Sequence, residues 1–410
     1  MKPFSPSTPW RLDPRVTFLN HGSFGARPAP VIEAQQRWRD RMDAEPIHFL
    51  DDELEGHLDA ARAMIGDFLN ADPEGLAFTS NATTGVATVL GSLRFEPGDE
   101  LLTTDHEYNA TLNVLAAAAA RDGARVVIAR IPFPIASAED ALRAVMDSVT
   151  PRTRLAMISH VTSPTGIILP IDAIVGELDR RGIDTIVDGA HGPGFVSVDV
   201  ARTNAAYWTG NGHKWLCAPV GSAVLHVRAD RRAAIHPLVI SHGANDPRTD
   251  RSRFKLEFDW PGTFDPSPHL AMADAIKLVG ELDPDGWPAI MAANRKLALQ
   301  ARDLLAHVLD VVPPAPDSML GGMAALTVPG LSTDEDAARL HRVLLDEERI
   351  QVPVVGWPVR AARENPGAPP KSVLLRISAQ RYNEPADYER LADALRRQLP
   401  GLAGRRLTAE

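Results

Sequence analysis

"RLAMISHVTSPTGIILPIDAIVGELDRRGIDTIVDGAH", residues 154–191, reads as a strand, a helix and a second strand. The segments "RLAMISH" (154–160) and "IDTIVDG" (183–189) are short, apolar and bounded by turn residues, as strands covered on both faces are. Between them "IDAIVGELDRRG" has helical length and closes on Gly182, the glycine that commonly follows a helix end. Strand, helix, strand at this spacing makes a parallel pair.

The same alternation extends in both directions. Further strand segments are "LAFTS" (76–80), "ELLTT" (100–104), "RVVIAR" (125–130), "AAYWTG" (205–210) and "SAVLHV" (222–227). Ala-, Leu- and Arg-rich stretches such as "ASAEDALRAVMDSV" separate most of them, so the expectation is an α/β unit around a mainly parallel seven-stranded sheet. The last two segments are closely spaced, which leaves antiparallel pairing open for them. From Pro266 the pattern changes: a helical stretch from about Ala271 to Leu309 leads through "VVPPAPDS" to strands "GMAALTV" and "SVLLRIS" and helices near 333–348 and 385–399. "IQVPVVGWP" carries prolines that suit an edge or irregular strand. The expected division is a Pro- and Gly-rich arm over a cleft (1–30), a large domain (31–265), and a linking helix with a small α+β domain (266–410).

Composition limits the function classes. The chain has 410 residues, 44% of them hydrophobic, and a net charge of −10 from 43 basic and 53 acidic residues. No basic run stands out, which argues against phosphate-backbone binding, so no nucleic-acid partner is expected. The single cysteine, Cys217, can form neither an internal disulfide nor a metal cluster, and suits a reducing, cytoplasmic compartment. The start "MKPFSPSTPWRLDPR" has no apolar core of a signal peptide, and "LNVLAAAAA" (112–120) is too short to span a bilayer. No membrane association is expected.

Five stretches carry chemistry. In "YWTGNGHKWLCAPVG" (207–221) Lys214 stands among Trp208, Trp215, Leu216 and Cys217, an environment that suggests a pocket, or else a lysine whose stem covers apolar surface. "TSNATTG" (79–85) follows a strand and opens a helix, so Thr83, Thr84 and nearby N–H groups can cradle a phosphate, although an ordinary N-cap has the same composition. "IVDGAH" (186–191) puts Asp188 at the end of a buried strand, where it needs either a ligand or an ion-pair partner. "DHEYNA" (105–110) places His106 at the same edge of the sheet, as a ligand contact or a surface histidine. "LLRISAQRYN" (374–383) sets Arg376 in an apolar strand, where a guanidinium asks for a carboxylate. A lysine, an acid and a phosphate cradle are what pyridoxal 5'-phosphate requires.

The chain resembles the aminotransferase class V family of fold-type I pyridoxal-phosphate enzymes, in its isopenicillin N epimerase-like branch. The resemblance rests on "FLNHGSFGARP" (18–28), "SNATTGV", "DHEYNA", "ISHVTSPTGIILPI", "VDGAH", "YWTGNGHKW" and "WPGTFDPSP", which cover nearly the whole chain in order. It implies that Lys214 holds the cofactor as a Schiff base, that Asp188 pairs with the pyridine nitrogen, and that His106 stacks on the ring. His191 would lie near the phenolic oxygen. Thr83, Thr84, Asn211 and His213 would hold the phosphate, with Thr263 supplied across a homodimer interface. Arg376 would grip the substrate carboxylate. Asn20 and His21 of the arm, with "SHGANDPRTDRSRFKLEF" (241–258), are expected to line the mouth, and their charges point to a polar substrate.

The reaction this implies is removal of the Cα proton of an amino acid through Schiff-base and quinonoid intermediates. Epimerisation, β-elimination at a C–S bond and transamination are its possible exits. Cysteine desulfuration is disfavoured because residues 356–375 hold no cysteine, and Ser163 stands where that group has asparagine, which puts a contact there in doubt. A non-catalytic scaffold is disfavoured by the joint presence of Lys214, Asp188, His106 and Arg376.

Overall fold

All seven strand segments join one sheet in a computed structural model of the protein, which describes residues 9–365 and 367–403. Part of the expected arm, residues 1–8, lies outside the described residues. The chain enters through a two-residue strand β1 (Thr17–Phe18) and two helices, α1 (Ala29–Ala44) and α2 (Leu54–Leu69). The sheet strands follow as β2 (Leu76–Thr79), β3 (Glu100–Thr104), β4 (Arg125–Ala129), β5 (Thr153–Ser159), β6 (Asp184–Asp188), β7 (Tyr207–Asn211) and β8 (Ala223–Val227). Their spatial order is β2-β8-β7-β6-β5-β3-β4. Only β8 runs against its neighbours, so the close spacing of the last pair does mark an antiparallel return.

The apolar runs are explained by burial on both faces. Met157, Ile158, Ile186 and Val187 expose nothing to solvent, and Trp208 on β7 is 1% exposed. Covering a side chain of this size stabilises the fold by roughly 1.5–3 kcal/mol. Helix α3 (Ala82–Ser92) lies close on β7 because Gly85 faces Thr209, whose Oγ1 would be 2.3 Å from any added Cβ.

The long helix expected over 271–309 is instead two helices, Ser267–Gly280 and Gly286–Leu309. Pro284 cannot donate a hydrogen bond, and Gly286 takes a left-handed φ of +67°, so the sequence 281–285 turns the chain. The first of these helices packs on α1 and α2, and the second packs on the C-terminal helix Pro385–Ala403. We propose that turn as the division between the large unit and the C-terminal unit. Strands β9 (Met323–Thr327), β11 (Val354–Trp357) and β12 (Ser372–Ser378) make a three-stranded antiparallel sheet in the order β11-β12-β9. Pro353 separates β11 from β10 (Ile350–Gln351), which pairs with β1 and so ties the arm to the C-terminal unit. Among the described residues no helix is long and apolar enough to cross a membrane.

Candidate active site

Parallel strands end at a common edge, and the loops leaving that edge build the main cavity, about 850 Å³ in volume. β2 delivers Asn81, Thr83 and Thr84, β3 delivers Tyr108 and Asn109, and β5 delivers Ser159 and Ser163. β6 ends in Asp188 with His191 just beyond, and β7 ends in Asn211 followed by His213 and Lys214. Because β8 is reversed, the residues entering it, Val220 and Gly221, reach the same edge. The C-terminal unit closes the cavity with Val355 and Arg376, and the arm closes it with Gly22, Ser23 and Phe24.

Lys214 is held at the base of this space. Its Nζ lies 3.1 Å from Nε2 of His191, and its charge is favoured by Asp188 and opposed by Arg376. Removal from water dominates, bringing the lysine pKa down to about 8. Burial raises the Asp188 carboxyl above its ordinary value, and the Ala190 N–H and Lys214 pull it partly back. His191 is held far below its usual pKa by burial and then by the nearby positive charges of Lys214 and Arg376. A half-buried lysine that gives up its proton more readily than usual, with a buried carboxylate acting on it, is a nucleophile and a base with an acid in reach.

The backbone behind Lys214 is fixed by the arm. Gly25 donates its N–H to the carbonyl of His213 at 2.9 Å, and a Cβ at Gly25 would lie 2.1 Å from the carbonyl oxygen of Lys214. His21 is fully buried, with Nδ1 accepting from the Ala26 N–H and Nε2 donating to the Lys214 carbonyl at 3.1 Å. The structure therefore corrects the expectation that His21 lines the mouth: it sits behind the lysine, and Asn20 likewise does not line the cavity.

At the other end, Asn81 caps α3 by accepting from the Thr84 N–H at 2.8 Å, and Asn211 accepts from the Ala82 N–H at 2.8 Å. Thr83 and Thr84 line the cavity, and although the Ala82 and Thr84 N–H groups are already taken, a helix N-terminus there favours an anion. His213 is 8% exposed and its Nδ1 has no hydrogen-bond partner among the described residues. Arg376 is 6% exposed, and its contacts among the described residues are neutral: the Ser163 carbonyl and the Ser23 hydroxyl, with Nε unpartnered there. A buried guanidinium without an acid leaves one positive charge for a ligand.

One expected ring contact stands elsewhere. His106 is fully buried and does not line the cavity: Nδ1 is 2.8 Å from the Thr165 hydroxyl and Nε2 3.1 Å from the Ile131 carbonyl, with Trp357 edge-on at 5.1 Å. Tyr108, two residues on and at the cap of α4 (Asn109–Asp122), is the aromatic ring of that segment open to the cavity. The histidine carries the more obvious chemistry of the segment, but the turn exposes the tyrosine ring instead. Thr263 is exposed and outside the cavity of its own chain. The stretch 241–258 is also outside, and its arginines are already engaged: Arg248 with Glu55, Arg251 with Asp59 and Asp259. Their charges are thus no guide to the substrate. The apolar part of the cavity lining includes Phe24, Val220, Pro353, Val355 and Val359 instead.

A family model for aminotransferase class V matches residues 18–391. The chain belongs to that family. Among curated relatives of this class V enzyme, an isopenicillin N epimerase from Amycolatopsis lactamdurans is 36% identical over 94% of this chain and 96% of its own. A probable chloroplastic L-cysteine desulfhydrase from Arabidopsis thaliana is 30% identical over 93% of this chain and 83% of its own. Among solved structures, a lysine-to-alanine mutant of C-DES with glycine covalently linked to its pyridoxal-phosphate cofactor superimposes with a TM-score of 0.77, at 22% identity, over 93% of this chain and 96% of that one. The residues of this class V site fit pyridoxal 5'-phosphate. The orphaned Nδ1 of His213 and the open end of α3 suit a phosphate, Asp188 suits a protonated ring nitrogen, and Lys214 suits an aldehyde.

Proposed function

We propose that the protein removes the Cα proton of an amino acid and releases either its epimer or, by β-elimination at a C–S bond, a cleaved product. The observation that carries this reading is a cavity that joins Lys214, 3.1 Å from His191 and under the opposed charges of Asp188 and Arg376, to an Arg376 with no acid partner among the described residues. Pyridoxal phosphate supplies an electrophilic carbonyl and an electron sink for the Cα electrons. The chain supplies the rest. Thr83, Thr84, Asn211 and His213 hold the phosphate, with Thr263 of the partner subunit completing the cradle in a homodimer. Asp188 keeps the ring nitrogen protonated, Tyr108 covers the ring in place of His106, and His191 faces the phenolic oxygen. Arg376 takes the substrate carboxylate, which directs Cα toward Lys214, and the freed Lys214 amine takes the Cα proton at Nζ.

Persulfide chemistry of the desulfurase kind is not part of this reading. Cys217 is fully buried, its thiol is pushed far above the ordinary range by burial, and its Sγ lies 3.7 Å from His21 behind the lysine. Incubation with L-amino acids and cysteine S-conjugates, following pyruvate, ammonia and the D-isomer separately, tests the proposal. Pyruvate with ammonia identifies elimination and the D-isomer identifies epimerisation. A substrate-derived keto acid that keeps the rest of the side chain, formed without ammonia, contradicts both.

A further inference from the structure

Trp215 follows the lysine directly and is 1% exposed. Its ring is confined by Phe195, edge-on with centroids 4.7 Å apart, by His21 at 5.0 Å, and by Gly322, where an added Cβ would meet the indole at 3.0 Å. In this fixed position its Nε1–H donates to Nδ1 of His191 at 3.1 Å. An indole nitrogen can only donate, so Nδ1 must be the unprotonated nitrogen of that imidazole. The single proton of His191 then sits on Nε2, 3.1 Å from Nζ of Lys214. An N–H facing an ammonium is repulsive, and the same N–H facing a free amine is a hydrogen bond.

We propose that Trp215 is a positioning residue that locks His191 in its Nε2–H tautomer and thereby holds a donor at Lys214 that selects the uncharged amine. The proposal rests on Lys214 as the functional lysine and adds a cause for its reactivity. Other groups face the pair from several elements. Asp188 at the end of β6 favours the charged lysine, while Arg376 of β12 opposes it; Lys214, Arg376, His213 and His21 all disfavour a charged His191. None of them dictates which imidazole nitrogen carries the proton. The indole does, and a second proton on His191 would have to displace it. Without the indole N–H the ring is free to take the opposite tautomer, in which Nε2 accepts from the lysine and stabilises its ammonium.

Two measurements on the full-length chain, stripped of cofactor, test this without any turnover. Long-range proton–nitrogen spectra of imidazole-labelled protein report the His191 tautomer, with the signal assigned by its loss in His191→Asn. The Nε2–H form is expected in the natural chain, and an Nδ1–H form or an imidazolium near pH 7 overturns the proposal whatever any variant does. Trp215→Phe then keeps the ring and removes the donor. The pH midpoint for acylation of Lys214 should rise by about one unit, which lowers labelling near neutral pH about tenfold. A folded variant with lower thermal stability but an unchanged midpoint shows a merely structural tryptophan and overturns the proposal. Neither readout depends on which reaction the enzyme performs, so failure here and failure of the proposed function are distinct.

Discussion

A guanidinium in an apolar strand is costly unless something negative meets it, and among the described residues Arg376 donates to the Ser163 carbonyl and the Ser23 hydroxyl and to no acid. Burial lowers its pKa to about 10, which still leaves it charged at neutral pH. A two-pronged contact to a substrate carboxylate is worth about 2–3 kcal/mol, and lysine cannot reproduce that geometry. Arg376→Lys should therefore raise the apparent substrate constant about tenfold or more while the bound cofactor keeps its absorbance. An unchanged constant would remove Arg376 from the site. At this scale the sequence was legible where a charged residue interrupts an apolar run, as Lys214, Asp188 and Arg376 do. It was not legible where two polar residues share one turn: His106 and Tyr108 differ in exposure only because the turn after β3 sends one inward and the other into the cavity. Trp215 was visible as an apolar neighbour of the lysine, but its role depends on His191, brought alongside only by the pairing of β6 with β7.

The elements explain why the lysine stays where it is. The arm residues His21 to Gly25 lie against the loop carrying His213 and Lys214, and their close approach requires that residue 25 have no side chain. Gly25→Ala has to displace either the arm or the Lys214 carbonyl. Its expected outcome is a folded protein whose affinity for added pyridoxal phosphate drops about tenfold or more, measured by absorbance titration of the stripped chain. Wild-type affinity would show that the arm does not set the lysine. Strand positions could be read from apolar runs because both faces of the large sheet are covered. The break at 281–285 was missed because flanking apolar residues continue in helical register across it, and only Pro284 and Gly286 signal the turn. The docking of the arm was hidden for a different reason: it joins residues nearly two hundred positions apart.

Across the described residues, folding buries several neutral histidines. Burial lowers His160, His213, His226 and His269 to about 4 and His21 to about 3, whereas unfolded histidines titrate near 6.5. Between those limits the unfolded chain binds more protons than the native one, so stability falls as pH falls from 6.5 toward 4. Glu107 acts in the opposite direction over part of that range, since burial raises its carboxyl to about 7 and the native state holds the extra proton, and Asp188, Asp259 and His48, also raised, work the same way, while the lowered His106 and His191 add to the five histidines. The melting temperature should drop by roughly 5 °C or more between pH 7 and pH 5. A flat or rising profile would mean that the histidines are wetter than their burial indicates. The α/β class followed from the alternation of segments, whereas the meeting of the arm, the parallel strand ends and β12 around one lysine is a property of the assembled fold. Borohydride reduction of the cofactor-loaded protein followed by peptide mapping shows whether that meeting puts the cofactor on Lys214. A pyridoxyl group on Lys214 and on no other lysine is expected; a tag on another lysine, or none on protein that shows cofactor absorbance, would remove Lys214 from the site.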